Sequence, residues 1–505
     1  MSTYPTMDNL VNAMNGSSST NNWDMVCSYT TKQLNDFLAT AYAKKKLVTE
    51  MHFDVQEDDP LTGEPFTVKY DLFLGKPTLK FIAGRSDQAN LTMLITGGTY
   101  SIYLKDQETP FRTADFPKNT YSVDAYVPLA AVTGDTGKVS SKGDIVTFDD
   151  DKTSQSHVIL HFANEKGTQF KIMPEPDPSL KAIINPQFVD AVESYFTYHV
   201  TEIDYALAQV NNDKASQGSV LLTPKSFVFA SEGDGETGIL SLYIQVKESG
   251  NPPGNRNPSF QPGTKEMLPI PENFTASLIL GYQLLTTCYI TKQLQDEGFA
   301  VTYESVPKGI ACSVSKDLEI LAKNDSGHWL FGSHYYKGFD INFKDHPIRM
   351  QIADGSVSLN WQASADTSWS ENASFGRTSS NQWGGVKVTL SYEQNGGAIS
   401  LNTTTDEISI AAISITPKDI HVGLHNDGCS FWERLVGCME SHPSFYDNLS
   451  DHLEMPKSLS LDLKGLNFLM ETNLVAPGET MINFDASAGV KTPMDFLLVG
   501  QVTSK

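Results

Sequence analysis

Runs of alternating apolar and polar residues constrain the fold of this chain more than any other feature of its sequence. Apolar residues take every second position in several runs: Val68, Tyr70, Leu72 and Leu74; Leu240, Leu242, Ile244 and Val246; Ile408 and Ile410; Leu459, Leu461 and Leu463. Successive side chains of a strand point to opposite faces, so each run predicts a β-strand with one apolar face. Turn-forming residues at 164–167 (NEKG) and 395–397 (NGG) predict β-hairpins. Such strands need another layer to cover their apolar face.

Four segments have helical apolar spacing and predict that covering layer. They span residues 23–46, 185–210, 281–297 and 431–439. The second is the clearest, because Asn185 suits the N-cap, Pro186 suits the first turn, and apolar residues recur at steps of three and four as far as Val210. The first carries an apolar stripe that begins at Trp23, and it ends in three lysines, which the helix dipole favours there.

A short internal repeat predicts that the chain has two related halves. The sequence YTTKQLND at residues 29–36 matches YITKQLQD at residues 289–296 in six of eight positions, 260 residues further along. A connector rich in Pro, Gly and Asn precedes the second copy. We therefore predict a flexible N-terminus at 1–22, a first domain at 23–248, a linker at 249–264 and a second domain at 265–505. The length also favours two domains, because single cores stop growing at roughly 250–300 residues.

Net charge narrows the classes of partner. The chain has 60 Asp and Glu against 37 Lys and Arg, a formal charge of −23. A surface this negative repels phosphate backbones, so we expect no nucleic-acid partner and no general electrostatic attraction to anionic lipid. The only obvious basic cluster along the sequence is Lys44, Lys45 and Lys46.

The sequence also carries expectations about localisation. No window approaches the 18 or so unbroken apolar residues of a membrane-spanning helix, and the nearest, residues 276–290, is interrupted by polar side chains. The first 22 residues lack a basic segment followed by an apolar one, so we expect no signal peptide, synthesis in the cytoplasm and, for any release, a non-standard route. Five widely spaced cysteines do not predict a disulfide framework.

No motif in the chain nominates a catalytic group. GDGETG at 233–238 has dinucleotide-loop spacing but joins two predicted strands, which indicates an acidic hairpin turn. GDTGK at 134–138 and the acidic runs at 57–59 and 149–151 are interpreted as loops and turns. His421, His425 and Cys429 have the spacing of zinc ligands on a helix, but the glycines among them make a continuous helix implausible and IHVGL at 420–424 alternates like a strand. We therefore predict no catalytic residue, no metal, no cofactor and no enzymatic activity.

Several phrases of the sequence resemble one known family. They are residues 22–38, PIPENFTASLILG at 269–281, NFLMETNLVAPGETMINF at 467–484 and TPMDFLLVG at 492–500. Together they are similar to the OrfX family and its sister, the forty-seven-kilodalton accessory protein, which are encoded beside clostridial neurotoxin genes and in related insecticidal toxin clusters. That family resembles the tubular lipid-binding (TULIP) superfamily. The resemblance implies an α+β fold of two TULIP-like domains, each a long helix packed along a long, highly curved antiparallel β-sheet.

The resemblance also implies a function and a site. It suggests a non-enzymatic lipid-binding accessory protein, with a lipid or fatty acid and a toxin or sister accessory proteins as partners. The candidate lipid-groove residues are Leu34, Phe37, Leu38 and Tyr42 in the first half and Leu285, Tyr289 and Leu294 in the second. Ordinary core packing is the competing interpretation of each residue. The competing functions are an interaction scaffold or chaperone for a toxin complex that binds no lipid, and a toxin component in its own right.

Overall fold

The structure, a computed structural model, describes most of the chain. The described residues are 3–59, 61–133, 139–148, 155–164, 167–201, 205–211, 220–235, 237–263, 266–329, 332–375, 378–405, 407–426, 453–456, 459–467, 474–475 and 480–504. Within these ranges the fold is mostly antiparallel β-sheet, with few helices.

The described helices are short. They are α1 (Met7–Met14), α2 (Thr31–Ala43), α3 (Pro186–His199) and α4, which runs through three consecutive stretches. In α4, Tyr282–Leu284 and Lys292–Asp296 are α-helical and Leu285–Thr291 between them is π-helical. A single 3₁₀ turn at Pro417–Asp419 is also present in the described ranges.

The strands fall into two series along the chain. Before the connector they are β1 (Met25–Thr30), β2 (Glu50–Asp58), β3 (Pro65–Leu74), β4 (Thr78–Ile82), β5 (Arg85–Leu104), β6 (Arg112–Asp115), β7 (Ser122–Thr133), β8 (Val139–Ser141), β9 (Val146–Thr147), β10 (Gln155–Leu160), β11 (Gln169–Met173), β12 (Ala206–Asn211), β13 (Val220–Leu221), β14 (Pro224–Glu232) and β15 (Ile239–Val246). After it they are β16 (Ala276–Leu280), β17 (Ala300–Glu304), β18 (Ile310–Ser315), β19 (Glu319–Ala322), β20 (Asp325–Trp329), β21 (Gly332–Tyr336), β22 (Phe339–Asn342), β23 (Ile348–Ala353), β24 (Ser356–Phe375), β25 (Thr378–Asn402), β26 (Glu407–Ile410), β27 (Ile413–Ser414), β28 (His421–Asn426), β29 (Leu453–Glu454), β30 (Ser460–Leu461), β31 (Leu466–Asn467), β32 (Leu474–Val475), β33 (Thr480–Phe484) and β34 (Phe496–Ser504).

A central seven-stranded sheet joins the two series. Its order is β33-β34-β16-β1-β15-β14-β9, and the first strands of the two series, β1 and β16, pair antiparallel at its middle. Each of these strands leads into a helix, α2 or α4, and each is flanked by the last hairpin of its own series. The central sheet is therefore arranged about its middle as two similar units.

An eleven-stranded, curled sheet occupies the first half. Its main path is β2-β3-β5-β7-β10-β12-β32, with β4, β6, β8 and β11 attached to β5 and β7. Strands β2 and β12 lie at distant positions in this order, yet the backbone N–H of Val48, beside β2, donates to the Tyr205 hydroxyl, beside β12, at 3.2 Å. The sheet therefore curves far enough for a side chain beside β12 to reach the backbone beside β2, and α2 and α3 pack against it.

A second eleven-stranded sheet occupies the second half, along β13-β31-β26-β25-β24-β23-β18-β17. Besides the β1–β16 pair, two more strand pairings cross between the halves. Strand β13 of the first half pairs with β31, and β32 of the second half pairs with β12. The boundary predicted at 249–264 therefore does not separate the two sheets cleanly in space.

The N-terminal segment and the connector cover the outer face of the central sheet, which corrects the expected flexible N-terminus. Helix α1 buries Leu10 and Met14 completely, in a cluster with Trp23 and with Phe260 of the connector. The Trp23 indole donates to the Asn255 carbonyl at 2.8 Å. As a result β15 is buried along its whole length, so its alternating run does not have the single apolar face that was predicted.

The predicted helix at 23–46 is wrong over its first part. Residues 25–30 form the central strand β1, buried at every position, and α2 begins only at Thr31. The repeated octapeptides therefore differ in structure, because Tyr29 lies in a strand and Tyr289 in a helix. Pairing with β15 and β16 on both sides outweighs the helical spacing here.

The other helix predictions have mixed outcomes. Helix α3 begins after Asn185, whose side chain accepts from the Phe188 N–H, but it ends at His199, and the expected continuation to Val210 is strand β12. The helix at 281–297 is confirmed as α4. The helix at 431–439 lies outside the described residues.

Both predicted hairpins are wrong, because the strand segments that the turn residues were expected to join do not pair with each other. Strands β10 and β11, on either side of residues 164–167, do not pair with each other but lie one after the other along β7. Residues 395–397 lie inside the long strand β25, at a register shift against β24, and Gly396 takes a φ of 86°. Glycine with positive φ serves hairpin turns and bulges alike, so the residues alone could not separate the two.

The small motifs mostly follow expectation. Residues 233–238 join β14 to β15 as an antiparallel hairpin, and residues 421–426 form strand β28. Glu57 and Asp58 end β2. Residues 134–138, residues 149–151 and Cys429 lie outside the described part of the chain.

Candidate functional site

The first candidate site is the seam between α2 and the first-half sheet, which we call the first seam (Leu34, Phe37, Leu38, Tyr42). Thr30 starts the helix, because its hydroxyl caps the Gln33 N–H at 3.2 Å. Leu34, Phe37 and Leu38 then face β1, β4 and β12 and are at most 3% exposed. The structure therefore brings these three predicted residues together on one buried helix face.

Two polar contacts hold α2 against the strands. The Asn35 side chain makes a reciprocal pair with the backbone of Leu79, donating to its carbonyl at 3.0 Å and accepting from its N–H at 2.6 Å. One turn further on, the Tyr42 hydroxyl donates to the Leu74 carbonyl at 2.6 Å. Tyr42 is only partly buried, so it lies at the rim of the first seam.

Aromatic side chains fill the space under the neighbouring helix α3. The Phe188 ring lies 4.9 Å from the Tyr70 ring, and the Phe196 ring lies 5.2 Å from the Phe162 ring, which is itself 5.0 Å from Tyr205. All five rings are buried. This part of the interior has the dense packing of an ordinary core.

The second seam (Leu285, Tyr289, Leu294) lies under α4, and all three residues are fully buried. Leu285 and Tyr289 belong to the π-helical stretch, whose wider turns disturb the usual hydrogen bonds. Side chains take up two of its carbonyls. Tyr303 donates to the Thr286 carbonyl at 2.9 Å, and Gln293 donates to the Tyr289 carbonyl at 2.5 Å. Stretches of π-helix are rare in proteins and occur frequently at functional sites.

The three described cysteines, Cys27, Cys288 and Cys312, keep neutral thiols at neutral pH. Burial raises the pKa of Cys27 and of Cys312 to about 12, and that of Cys288 to about 11. A thiol needs a pKa near or below neutrality to act as a nucleophile or metal ligand. These cysteines therefore behave as small apolar side chains.

A buried carboxylate anchors α4 to the central sheet. Asp495, fully buried just before β34, accepts from the Tyr282 N–H at 2.7 Å and so supplies the cap that Gly281 lacks. Its other oxygen accepts from the backbone N–H and the hydroxyl of Ser19, at 2.7 and 2.9 Å. Burial raises the Asp495 pKa above its ordinary value, because the low-dielectric surroundings disfavour the charged form.

A separate cleft of about 1040 Å³ lies on the outer side of the molecule, away from both seams. It is bounded by the N-terminal segment, the turn between β4 and β5 with the start of β5, the end of β14 and the connector. Within it Glu232 accepts from the Phe260 N–H at 2.6 Å, and burial together with nearby Glu266 raises its pKa to about 7. Sequence reasoning missed this cleft, because its walls come from four distant segments.

The described residues include neither a cluster of metal-binding side chains nor a membrane-spanning helix. No group of three or more His, Cys, Asp or Glu side chains in the described ranges is arranged to hold a metal ion. None of the helices there has the length and apolar character needed to cross a membrane.

Comparison with known proteins gives a structural resemblance and no sequence match. No protein-family model and no curated protein sequence matches the chain. The structure aligns with that of P47 from Clostridium botulinum A2 over 97% of this chain and 100% of that chain, at 11% identity and a TM-score of 0.47. It aligns with a lipopolysaccharide binding protein over 95% of this chain and 99% of that chain, at 9% identity and a TM-score of 0.27. At these values neither match carries an argument about function. P47 is also the name of the forty-seven-kilodalton accessory protein in the resemblance drawn from the sequence.

Proposed function

We propose that this chain is a non-enzymatic lipid-binding protein that takes an apolar chain into its helix–sheet seams, as an accessory protein of a bacterial toxin gene cluster. The observation that carries the proposal is the apolar lining of both seams, whose side chains on α2 and α4 belong to the buried core. In the second seam Leu285 and Tyr289 also lie in a π-helical stretch, a feature that occurs frequently at functional sites. The gene-cluster setting rests on the sequence resemblance.

The energetics of such a site come from burial. Each methylene moved from water into an apolar seam contributes about 0.8 kcal/mol, so an acyl chain needs no charged anchor inside the protein. The seams suit this, because their side chains are apolar or aromatic and the neighbouring thiols are neutral. Entry requires a helix to move. Helix α2 is held to the strands through Asn35 and Tyr42, two polar contacts at the surface of the seam.

The test is uptake of a fluorescent fatty acid by protein that has been stripped of lipid. Leu38→Phe adds bulk to the first seam and is expected to reduce uptake at least about fivefold. A closely packed interior has no room for both the added ring and an acyl chain. Leu497→Phe is the matched control, because Leu497 is equally buried but lies in the cluster on the other face of the central sheet. The control variant is expected to keep full uptake.

Two results count against the proposal. One is the absence of any uptake by the unsubstituted protein, together with no lipid in a denaturing extract analysed by mass spectrometry. The other is an equal loss of uptake in Leu38→Phe and Leu497→Phe at matched stability, which would place binding outside the first seam.

A second function, a scaffold or chaperone within a toxin complex, is favoured by the filled aromatic layer under α3. Rings at Tyr70, Phe116, Phe162, Phe188 and Phe196 leave that part of the interior closely packed. On this account every seam is filled by its own side chains. A pull-down from the native host that recovers products of neighbouring genes, from protein that takes up no lipid, would favour the scaffold.

A further inference from the structure

An unusual patch lies on the outer face of the first-half sheet, at the end where β3, β5, β7 and β11 run side by side. Three large apolar side chains are exposed there, Phe73 at 50%, Leu94 at 39% and Met173 at 48%. Strand register places Phe73 and Leu94 on the neighbouring strands β3 and β5, and Met173 on β11, which is separated from β5 by β7. Leu94 pairs with Ser122, Ser122 pairs with Met173, and the Thr96 hydroxyl donates to the Phe73 carbonyl at 3.2 Å. An exposed apolar group of this kind often marks an interaction surface.

Four exposed lysines surround this apolar group. Lys76 and Lys80 lie before and within β4, Lys171 lies on β11 two residues from Met173, and the Lys118 side chain runs beside Gly97. No ion pair joins any of these four ammonium groups to a carboxylate in the described ranges. We call the three apolar residues and the four lysines the outer patch. Asp124 lies on the same face between Lys171 and Thr92, and Ser122 donates to it at 3.0 Å.

The neighbouring part of the same face is different. On β2 and β3 the charges are paired, His52 with Asp71 at 2.6 Å and Lys69 with Asp54 at 3.7 Å. The outer patch is therefore a local excess of unpaired positive charge on a chain with a net charge of −23. It was not visible in the sequence, because the four lysines are up to 95 residues apart and only the strand register brings them together.

We propose that the outer patch docks this protein on an anionic phospholipid surface. Phe73, Leu94 and Met173 enter the interface between head groups and acyl chains, and the lysines contact lipid phosphates. The combination of exposed apolar side chains with unpaired lysines on one face matches the apolar and anionic layers of such a surface. The acidic remainder of the protein interferes little, because at physiological salt charges more than about 8 Å away are largely screened. The inference rests on the proposed function in one respect, since a lipid-handling protein must reach a source of lipid.

The test is co-sedimentation with phosphatidylcholine vesicles, with and without phosphatidylserine. We expect binding only to vesicles that contain phosphatidylserine, with a decrease as salt rises. Lys80→Glu/Lys171→Glu is expected to lower the partition coefficient at least about tenfold, since each lysine near an anionic surface strengthens binding about fivefold. Lys44→Glu/Lys45→Glu is the control. It makes the same change in net charge at the exposed end of α2 and is expected to bind as the unsubstituted protein does.

Two results of the co-sedimentation experiment would overturn the inference. Absence of binding of the unsubstituted protein to anionic vesicles overturns it, and so does an equal loss in both double variants. Phe73→Ser/Leu94→Ser should also weaken binding, which distinguishes docking from a purely ionic attraction. Uptake of a soluble fatty acid without vesicles separates this inference from the proposed function, because Lys80→Glu/Lys171→Glu should keep full uptake there.

Discussion

Replacement of Asp495 should destabilise the whole fold, because this one carboxylate joins the N-terminal segment, the start of α4 and the central sheet. In Asp495→Ala the buried N–H groups of Ser19 and Tyr282 lose their acceptor. Each buried donor left unpaired costs about 1–3 kcal/mol. Removal of an unfavourably buried carboxylate returns part of that cost, so we expect a decrease of about 3 kcal/mol in the free energy of unfolding.

Asp495→Asn separates the hydrogen bonds from the charge. The two backbone N–H groups donate to different oxygens of Asp495, and an amide has only one acceptor oxygen, so one donor remains unpaired. We expect a loss of about 2 kcal/mol at neutral pH. Because the folded state raises the Asp495 pKa above 3.8, the stability that this group contributes is full below 3.8 and decreases as pH rises through the folded pKa. The difference between the unsubstituted protein and Asp495→Asn should therefore be larger in mild acid than at neutral pH.

The assay is urea unfolding followed by tryptophan fluorescence and circular dichroism, over a range of pH. Asp87→Ala, at an exposed aspartate, is the control and should change stability by less than about 0.5 kcal/mol. The reasoning is refuted if Asp495→Ala is no more destabilising than Asp87→Ala, or if the difference for Asp495→Asn shrinks in mild acid.

Further predictions concern the helices, the seams and the outer cleft. Thr30→Ala removes the cap of α2 and should cost about 1 kcal/mol in chemical unfolding, whereas Thr40→Ala on the exposed side of the same helix should cost less. Gln293→Ala leaves the Tyr289 carbonyl and the Lys464 N–H without the Gln293 side chain and should cost about 2 kcal/mol, measured in the same way. Asn35→Ala/Tyr42→Phe frees α2 from two strand contacts and should speed fatty-acid uptake in a stopped-flow experiment; slower or unchanged uptake would argue against entry beneath α2. The pKa of Glu232 is raised from 4.5 to about 7, so the stability that this group contributes is full below pH 4.5 and is lost as pH rises through 7. Between these pH values Glu232→Gln should reduce the pH-dependent change in the free energy of unfolding by about 2 kcal/mol.

Strand prediction from alternation succeeded where one face of a strand meets solvent. In β3 the predicted apolar residues, such as Val68 and Tyr70, are buried and Lys69 and Asp71 are exposed. Strand β15 has the same alternating pattern, but both of its faces are buried. Ser241 bonds with Ser28 at 2.8 Å, and Tyr243 packs beneath the N-terminal cluster, so the second face is buried too. The second covering layer comes from α1 and the connector, which lie far from β15 in the sequence.

Features that depend on pairing between distant segments could not be predicted from the sequence. Tyr29 and Tyr289 occur in nearly identical octapeptides, yet only Tyr29 is paired with strands on both sides, so the first copy begins in a strand and the second is helical throughout. Six of the seven candidate seam residues lie on buried helix faces and Tyr42 is partly buried, because each helix carries its own apolar stripe. The π-helical turns, the outer cleft and the outer patch each depend on tertiary packing and gave no local signal.

Photocrosslinking with a diazirine-labelled fatty acid, followed by peptide mapping, tests the central claim most directly. The account predicts adducts on the peptides that carry α2 (Thr31–Ala43) and the π-helical Leu285–Thr291. Labelling confined to the outer cleft around Glu232 and Phe260, or no labelling above that of heat-denatured protein, would contradict it.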